Sequence, residues 1–355
     1  MSDNASNTFV SNLLPTIESF AKGTIATAAG LSTVGFGLLF FGQNYLIYPS
    51  AFPPGSRVEV PTPTDFGLPY QGLELLTPDD VKLRCYLLVQ RKELSHLGGA
   101  AEVSGNGQET DEEFAASRPT VMMFHGNGGN VGHRIPLAKV FYAKMRCNVL
   151  MLSYRGYGHS EGSPSEKGIR TDAQCALDYV TSHSVLSRTP VILYGQSIGG
   201  AVSIDLASRN PHVIRALILE NTFLSLPRLV PNTFPILGPL SFLCHQKWDS
   251  ASMAPLIPAE TPMLMLSGTH DEVVPPEHMR LLWEIVQQRI PGGRRADGTP
   301  VQDAEEAKKV DPSPGYSRFV EFDGGTHNDT CVQPGYWTTV AEFVAGLGES
   351  SRIVW

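Results

Sequence analysis

Val191-Ile192-Leu193-Tyr194-Gly195-Gln196-Ser197-Ile198-Gly199-Gly200, directly after Pro190, is the stretch whose reading sets the fold. Its first four residues are apolar or aromatic and read as a buried strand, and the Gly-Gln-Ser-Ile-Gly that follows has the spacing of a nucleophile elbow. In such a turn the serine sits in a strained backbone conformation between strand and helix. Glycine two places to either side lets neighbouring backbone pass close, which gives Gly195 and Gly199 a steric purpose. The amide of Ile198 then opens a helix and can face a developing oxyanion.

The pattern repeats outward from the elbow. Upstream, Thr120-Val121-Met122-Met123-Phe124 is a short buried strand that ends in His125-Gly126-Asn127-Gly128-Gly129-Asn130. A helix is expected from Ile135 to Lys144, a strand at Asn148-Val149-Leu150-Met151-Leu152, and another helix opened by Ser165 and running through Ala176 and Val180. Downstream, Ala216–Leu219, Met263–Leu266 and Phe319–Phe322 are further apolar runs, and Val81–Leu88 is an earlier strand with alternating character. Strands that are continuous apolar runs, alternating with helices, predict an α/β fold with a mostly parallel central sheet covered by helices on both faces.

The chain has 355 residues, with 27 Lys and Arg against 35 Asp and Glu, a net charge of −8. No basic run or basic-aromatic patch is present, so a nucleic-acid partner is not expected. The five cysteines, Cys85, Cys147, Cys175, Cys244 and Cys331, are scattered without metal-binding spacing, and their odd number leaves at least one thiol free. No His-Glu-x-x-His is present either, so neither a metal nor another cofactor is predicted.

From Gly23 to Ser56 there is no Asp, Glu, Lys or Arg. The part from Ile25 to Leu46 is rich in Ala, Leu, Val, Phe and Gly, and a bilayer core needs about 20 such residues. Its position and length do not suit a cleavable signal peptide. A transmembrane signal anchor over 23–47 is therefore expected, after a tail of residues 1–22. Lys22 before the run and Arg57 as the first positive charge after it favour a cytoplasmic amino terminus and a type II single-pass arrangement. The membrane would then be an endomembrane such as the endoplasmic reticulum, or the cell membrane. Residues 48–80 read as connector and first strands, and 81–349 as the folded domain, interrupted by exposed polar insertions at 94–119 and 291–316. The proline-rich, apolar segment between the strands at Leu217 and Met263 is a candidate cap.

A serine hydroxyl needs a base, usually a histidine itself held by a carboxylate. On this fold the chain order is Ser, then Asp or Glu, then His, each on a loop after a strand. Asp271 follows the strand at Leu266 and His327 follows the last strand, which nominates Ser197, Asp271 and His327 as catalytic residues. Glu272, beside Asp271, and Glu220, at the end of the preceding strand, are the competing acids. His270 is poorly placed to be oriented by its own neighbour Asp271. The glycine-rich loop after Phe124 lacks the third glycine of a dinucleotide fingerprint and the Gly-Lys of a phosphate loop. It fits an oxyanion loop, with the backbone N–H of Asn127 paired with that of Ile198.

Assembled, these loops resemble the α/β-hydrolase superfamily. Phe124–Asn130, Tyr154-Arg155-Gly156-Tyr157-Gly158-His159-Ser160, Gly195–Gly200 and His270–Pro275 are similar to its branch of membrane-anchored proteins that includes the fungal bud-emergence (Bem-type) proteins. The resemblance implies an amino-terminal signal anchor, one catalytic domain and serine hydrolase activity on an ester or thioester. Deacylation of proteins by some animal relatives extends the expected substrates to small-molecule or acylated-protein esters and thioesters. A catalytically idle scaffold on the same fold, binding a partner beside a membrane, is the rival expectation.

Overall fold

A computed structural model describes Lys22, Thr24 and residues 29–93, 109–294, 297–299 and 317–349. Eight strands form one sheet: β1 (Gln71–Leu76), β2 (Lys82–Leu88), β3 (Thr120–Phe124), β4 (Asn148–Leu152), β5 (Val191–Gln196), β6 (Ile214–Glu220), β7 (Met263–Gly268) and β8 (Arg318–Phe322). Their spatial order is β1-β2-β4-β3-β5-β6-β7-β8. β1 and β2 pair antiparallel with their neighbours, and every later pair is parallel.

Of the parallel strands, β3, β4, β5 and β7 are buried along their whole length because both faces are covered, whereas β8 at the edge is half-exposed. Met122 and Phe124 point into a cluster with helices α5 (Glu166–Ser182), α6 (Ile198–Arg209) and α8 (Pro276–Gln287). Val121 and Met123 point the other way, towards α4 (Ile135–Lys139) and the carboxy-terminal α9 (Tyr336–Glu349). The expected helix over Ile135 to Lys144 continues past α4 as a π-turn, Val140–Lys144. Ser165 caps α5 by accepting from the amide of Gly168. The parallel strands bring the loops after β3, β5, β6, β7 and β8 to one edge of the sheet, where α/β folds bind ligands.

Within the expected polar insertion at 94–119 the described part holds a helix. Residues 94–108 lie outside the described residues, but Asp111–Ala116 forms α3 with a capping box between Thr110 and Glu113. Ala115 is buried, and the side chain of Asn148 donates to the carbonyls of Ala115 (2.9 Å) and Arg118 (3.1 Å). The Thr110-x-x-Glu113 spacing is the signal in the sequence that could have found it. In the second insertion, residues 295, 296 and 300–316 lie outside the described residues. Its near flank, Gly292, is tied to Glu260 (3.1 Å).

Residues 29–41 form α1, and Gln43–Ile47 forms a separate turn of helix, α2. Among the described residues no helix is long and apolar enough to cross a membrane. Positions 23 and 25–28 of the expected span lie outside the described residues. At the other end of that span, Gln43 bonds the carbonyl of Leu243 (2.8 Å) and the amide of His245 (3.0 Å), pinning α2 to the body. Leu46 and Ile47, read from sequence as the end of the anchor, stand in the wall of a cavity over the sheet edge.

Candidate active site

Ser197 joins β5 to α6 with φ +56° and ψ −121°, a region that costs a non-glycine residue about 1–3 kcal/mol. The surroundings hold it there: its amide donates to the carbonyl of Glu220 (2.9 Å), and its carbonyl accepts from Thr222 Oγ1 (2.8 Å). A Cβ on Gly195 would stand 2.2 Å from the carbonyl oxygen of Gly199, and one on Gly199 would stand 2.0 Å from that of Phe124. The turn therefore exists only with glycine at both places.

The loop after β7 shapes Asp271 before it meets its partner. Oδ1 accepts the amides of Val273 (2.9 Å) and Val274 (2.7 Å). Oδ2 accepts the Nδ1–H of His327 at 2.8 Å. Nδ1 as the proton carrier leaves Nε2 with a free lone pair, the state a general base requires. The main chain of His327 is gripped as well. Its amide donates to Glu272 Oε2 (3.2 Å), and its carbonyl accepts from Gln196 Nε2 (3.1 Å) and Asn221 Nδ2 (3.2 Å).

Ser197, His327, Asn127 and Ile198 line one cavity of ≈ 470 Å³. No hydrogen bond joins the serine hydroxyl to the ring; such bonds often tighten only with substrate bound. Asn127 is fixed by Tyr157, whose hydroxyl donates to Oδ1 (2.7 Å), and by donation of its own Nδ2 to the carbonyl of Ile47. The backbone amides of Asn127 and Ile198 have no acceptor among the described residues. The far wall is apolar, with Leu226, Leu229 and Val230 of α7 (Leu226–Thr233) facing Phe52 and Ile47. The proline-rich segment after β6 thus does lie over the site.

Residues 119–239 match the family model described as alpha/beta hydrolase fold. Over 316 residues the chain is 41% identical to Protein bem46 of Schizosaccharomyces pombe, covering 89% of this chain and 90% of that protein. The chain belongs to the α/β-hydrolase family. It is also 36% identical to the Uncharacterized membrane protein YNL320W of Saccharomyces cerevisiae, over 93% of this chain and 96% of that protein. Alpha/beta hydrolase domain-containing protein WAV2 of Arabidopsis thaliana is 31% identical over 91% and 94%. Among solved structures, the Pyrococcus furiosus esterase Pf2001 superposes with a TM-score of 0.57 at 16% identity, over 81% of this chain and 95% of that one, a likeness of fold alone.

In this α/β hydrolase the competing acids have other partners. Glu220 is fully buried and accepts from the hydroxyls of Tyr194 and Tyr336, both at 2.6 Å; burial pushes its carboxyl above the usual range. Glu272 holds the amide of His327 rather than its ring. His270 is exposed and turned to Thr269. His125 donates Nδ1–H to Gly126 O (2.8 Å), and burial drives its pKa down to about 3.

Sequence reasoning missed Asn221. Its φ of +45° and its side chain bind three loops together: Nδ2 reaches Thr326 O (3.2 Å), His327 O (3.2 Å) and Thr330 Oγ1 (3.0 Å), while Oδ1 accepts from Gly268 N (2.9 Å). Its position at the end of a strand, next to Glu220, was the only hint.

Proposed function

We propose that this α/β hydrolase cleaves an ester or thioester through an acyl-enzyme on Ser197. Nε2 of His327 takes the hydroxyl proton as Oγ bonds to the acyl carbon, and Asp271 steadies the imidazolium that forms. The carbonyl electron pair moves to oxygen, where the amides of Asn127 and Ile198 receive it; one such donor is worth about 3–4 kcal/mol. Collapse expels the alcohol or thiol, which leaves with the proton from Nε2. Water then repeats the cycle: His327 takes its proton as the water oxygen bonds to the acyl carbon, and collapse breaks the bond to Oγ of Ser197, which leaves with the proton from Nε2 as the carboxylic acid is released.

The observation that carries this reading is the bond from Asp271 to His327, a histidine that lines the same cavity as Ser197. Those groups are the parts that acyl transfer uses, and a scaffold that only binds has no need of them. Substrates are small-molecule or acylated-protein esters, in keeping with the apolar wall. The protein acts while anchored to a membrane by the apolar run of residues 25–46, up to the end of α1, beyond which Gln43 and Leu46 turn back to the body. Exposed Leu31, Val34, Leu38 and Phe41 around α1 favour that anchoring, as does the name of its relative in Saccharomyces cerevisiae, a membrane protein.

The test is turnover of nitrophenyl esters by the full chain. Wild type is expected to hydrolyse the acetate and longer esters, with Ser197→Ala and His327→Ala each reduced to the uncatalysed rate or near it. Equal rates for folded wild type and Ser197→Ala would refute the assignment.

A further inference from the structure

The cap continues beyond α7 as a 3-10 segment, Pro235–Leu243. From Leu229 to Cys244 there is no Asp, Glu, Lys or Arg, and Arg228 and Lys247 bracket the run. Much of it faces outward: Ile236 is 91% and Phe242 71% exposed. Apolar groups of this size, grouped on one face and edged by cations, mark a surface that meets another apolar phase. The second apolar surface is α1, where Leu31, Leu38 and Phe41 are 70%, 69% and 83% exposed. A helix that is apolar on all sides suits lipid rather than water.

The two surfaces are joined. Gln43, just after α1, bonds main-chain groups of Leu243 and His245 at the end of the cap, and the ring of Phe40 lies 5.0 Å from that of His245. Between them runs a second, almost wholly apolar cavity of ≈ 130 Å³. Leu46, Ile47, Val230 and Phe234 line this cavity and the Ser197 cavity alike. The two cavities therefore adjoin at four shared apolar side chains, a candidate passage between helix and cap.

We propose that Pro235–Leu243 inserts into the surface of the same bilayer that holds α1, and that acyl chains enter the Ser197 cavity from the lipid through this passage. This rests on the serine-hydrolase reading for its chemistry, but the insertion itself does not. The occupant is a lipid surface for two reasons on the molecule: the charge-free run is flanked by cations suited to anionic headgroups, and it is pinned to a helix whose Leu31, Val34, Leu38 and Phe41 are exposed. The substrate class that follows is a long-chain acyl ester or thioester whose chain resides in the membrane.

The experiment uses the full chain reconstituted in phosphatidylcholine–phosphatidylserine vesicles. A polarity-sensitive fluorophore on Ile236→Cys is expected to be quenched by nitroxide-labelled lipids. The same label on His212→Cys, before β6 at the opposite edge of the sheet, is expected to stay unquenched. In the double variant Ile236→Glu, Phe242→Glu, hydrolysis of nitrophenyl acetate stays within about twofold of wild type, and hydrolysis of vesicle-embedded nitrophenyl palmitate falls about tenfold or more. An unquenched label at 236 overturns the proposal, whether residues 1–28, a second copy or water covers the cap. So does an equal loss of both esters in a folded double variant. Quenching at 236 in a wild type that hydrolyses no ester leaves the insertion standing and refutes the serine-hydrolase reading instead.

Discussion

Asp271 meets Nδ1 of His327 with both oxygens, Oδ2 at 2.8 Å and Oδ1 at 3.0 Å, while Oδ1 is also held by two backbone amides. The carboxylate is fixed by its own loop before the ring arrives, so the ring's tautomer and tilt follow from the fold. Asp271→Asn preserves the shape but can present an N–H where an acceptor is needed. Its kcat is expected to fall about 10³–10⁴-fold. Glu220→Gln and Glu272→Gln, measured beside it, should stay within about tenfold of wild type; a larger loss in either would move the acid away from Asp271.

Asn221 ties the loop that carries Asp271 to the loop that carries His327, and its positive φ is one that glycine adopts freely. Asn221→Gly therefore removes the ties without straining the backbone. A misplacement of the base by about 1 Å costs on the order of 10²-fold, so kcat should fall by 10- to 100-fold, about that order, with KM nearly unchanged. A change in KM alone would show that Asn221 acts on substrate binding.

Gly199 has no room for a methyl group, which would stand 2.0 Å from a backbone oxygen of β3. Backbone on both sides cannot yield as a flexible side chain would. Gly199→Ala is expected to cost about 3 kcal/mol or more in stability, at the upper end of single-residue effects. Thermal melting of the two proteins checks it, and an unchanged midpoint would contradict the close approach of β3 and α6.

His125 makes stability depend on pH. In the folded chain burial keeps it neutral down to about 3, against an ordinary 6.5 when unfolded. Below pH 6.5 the unfolded chain gains a proton that the folded chain refuses, so stability is lost as pH falls from about 6.5 to about 3. Between pH 7 and pH 5 this amounts to about 2 kcal/mol. The melting midpoint of His125→Gln should fall less over that interval than that of wild type.

The strands and the elbow were legible because their causes are local: apolar runs of five or six residues, and glycines at fixed distance from a serine. Chain order then nominated Asp271 and His327, and the fold brings those two into contact. The unread parts depend on contacts between distant segments. Nothing near Asn221 announces that its amide will reach Thr326 and Thr330. Hydropathy scores Leu46 and Ile47 alike whether they meet lipid or a cavity, and it is Gln43, bonded to Leu243 and His245, that assigns them to the cavity wall. The helix at Asp111–Ala116 was signalled by capping alone, since it contributes little to the core beyond Ala115.

The central claim is that Ser197 is the nucleophile. A fluorophosphonate reacts with an activated serine and stays bound, so mapping the labelled peptide of the 355-residue chain identifies the residue. The account predicts a single adduct on Ser197, abolished in Ser197→Ala and strongly slowed in His327→Ala. Folded wild-type protein that carries no adduct, or carries it on another residue, would contradict it.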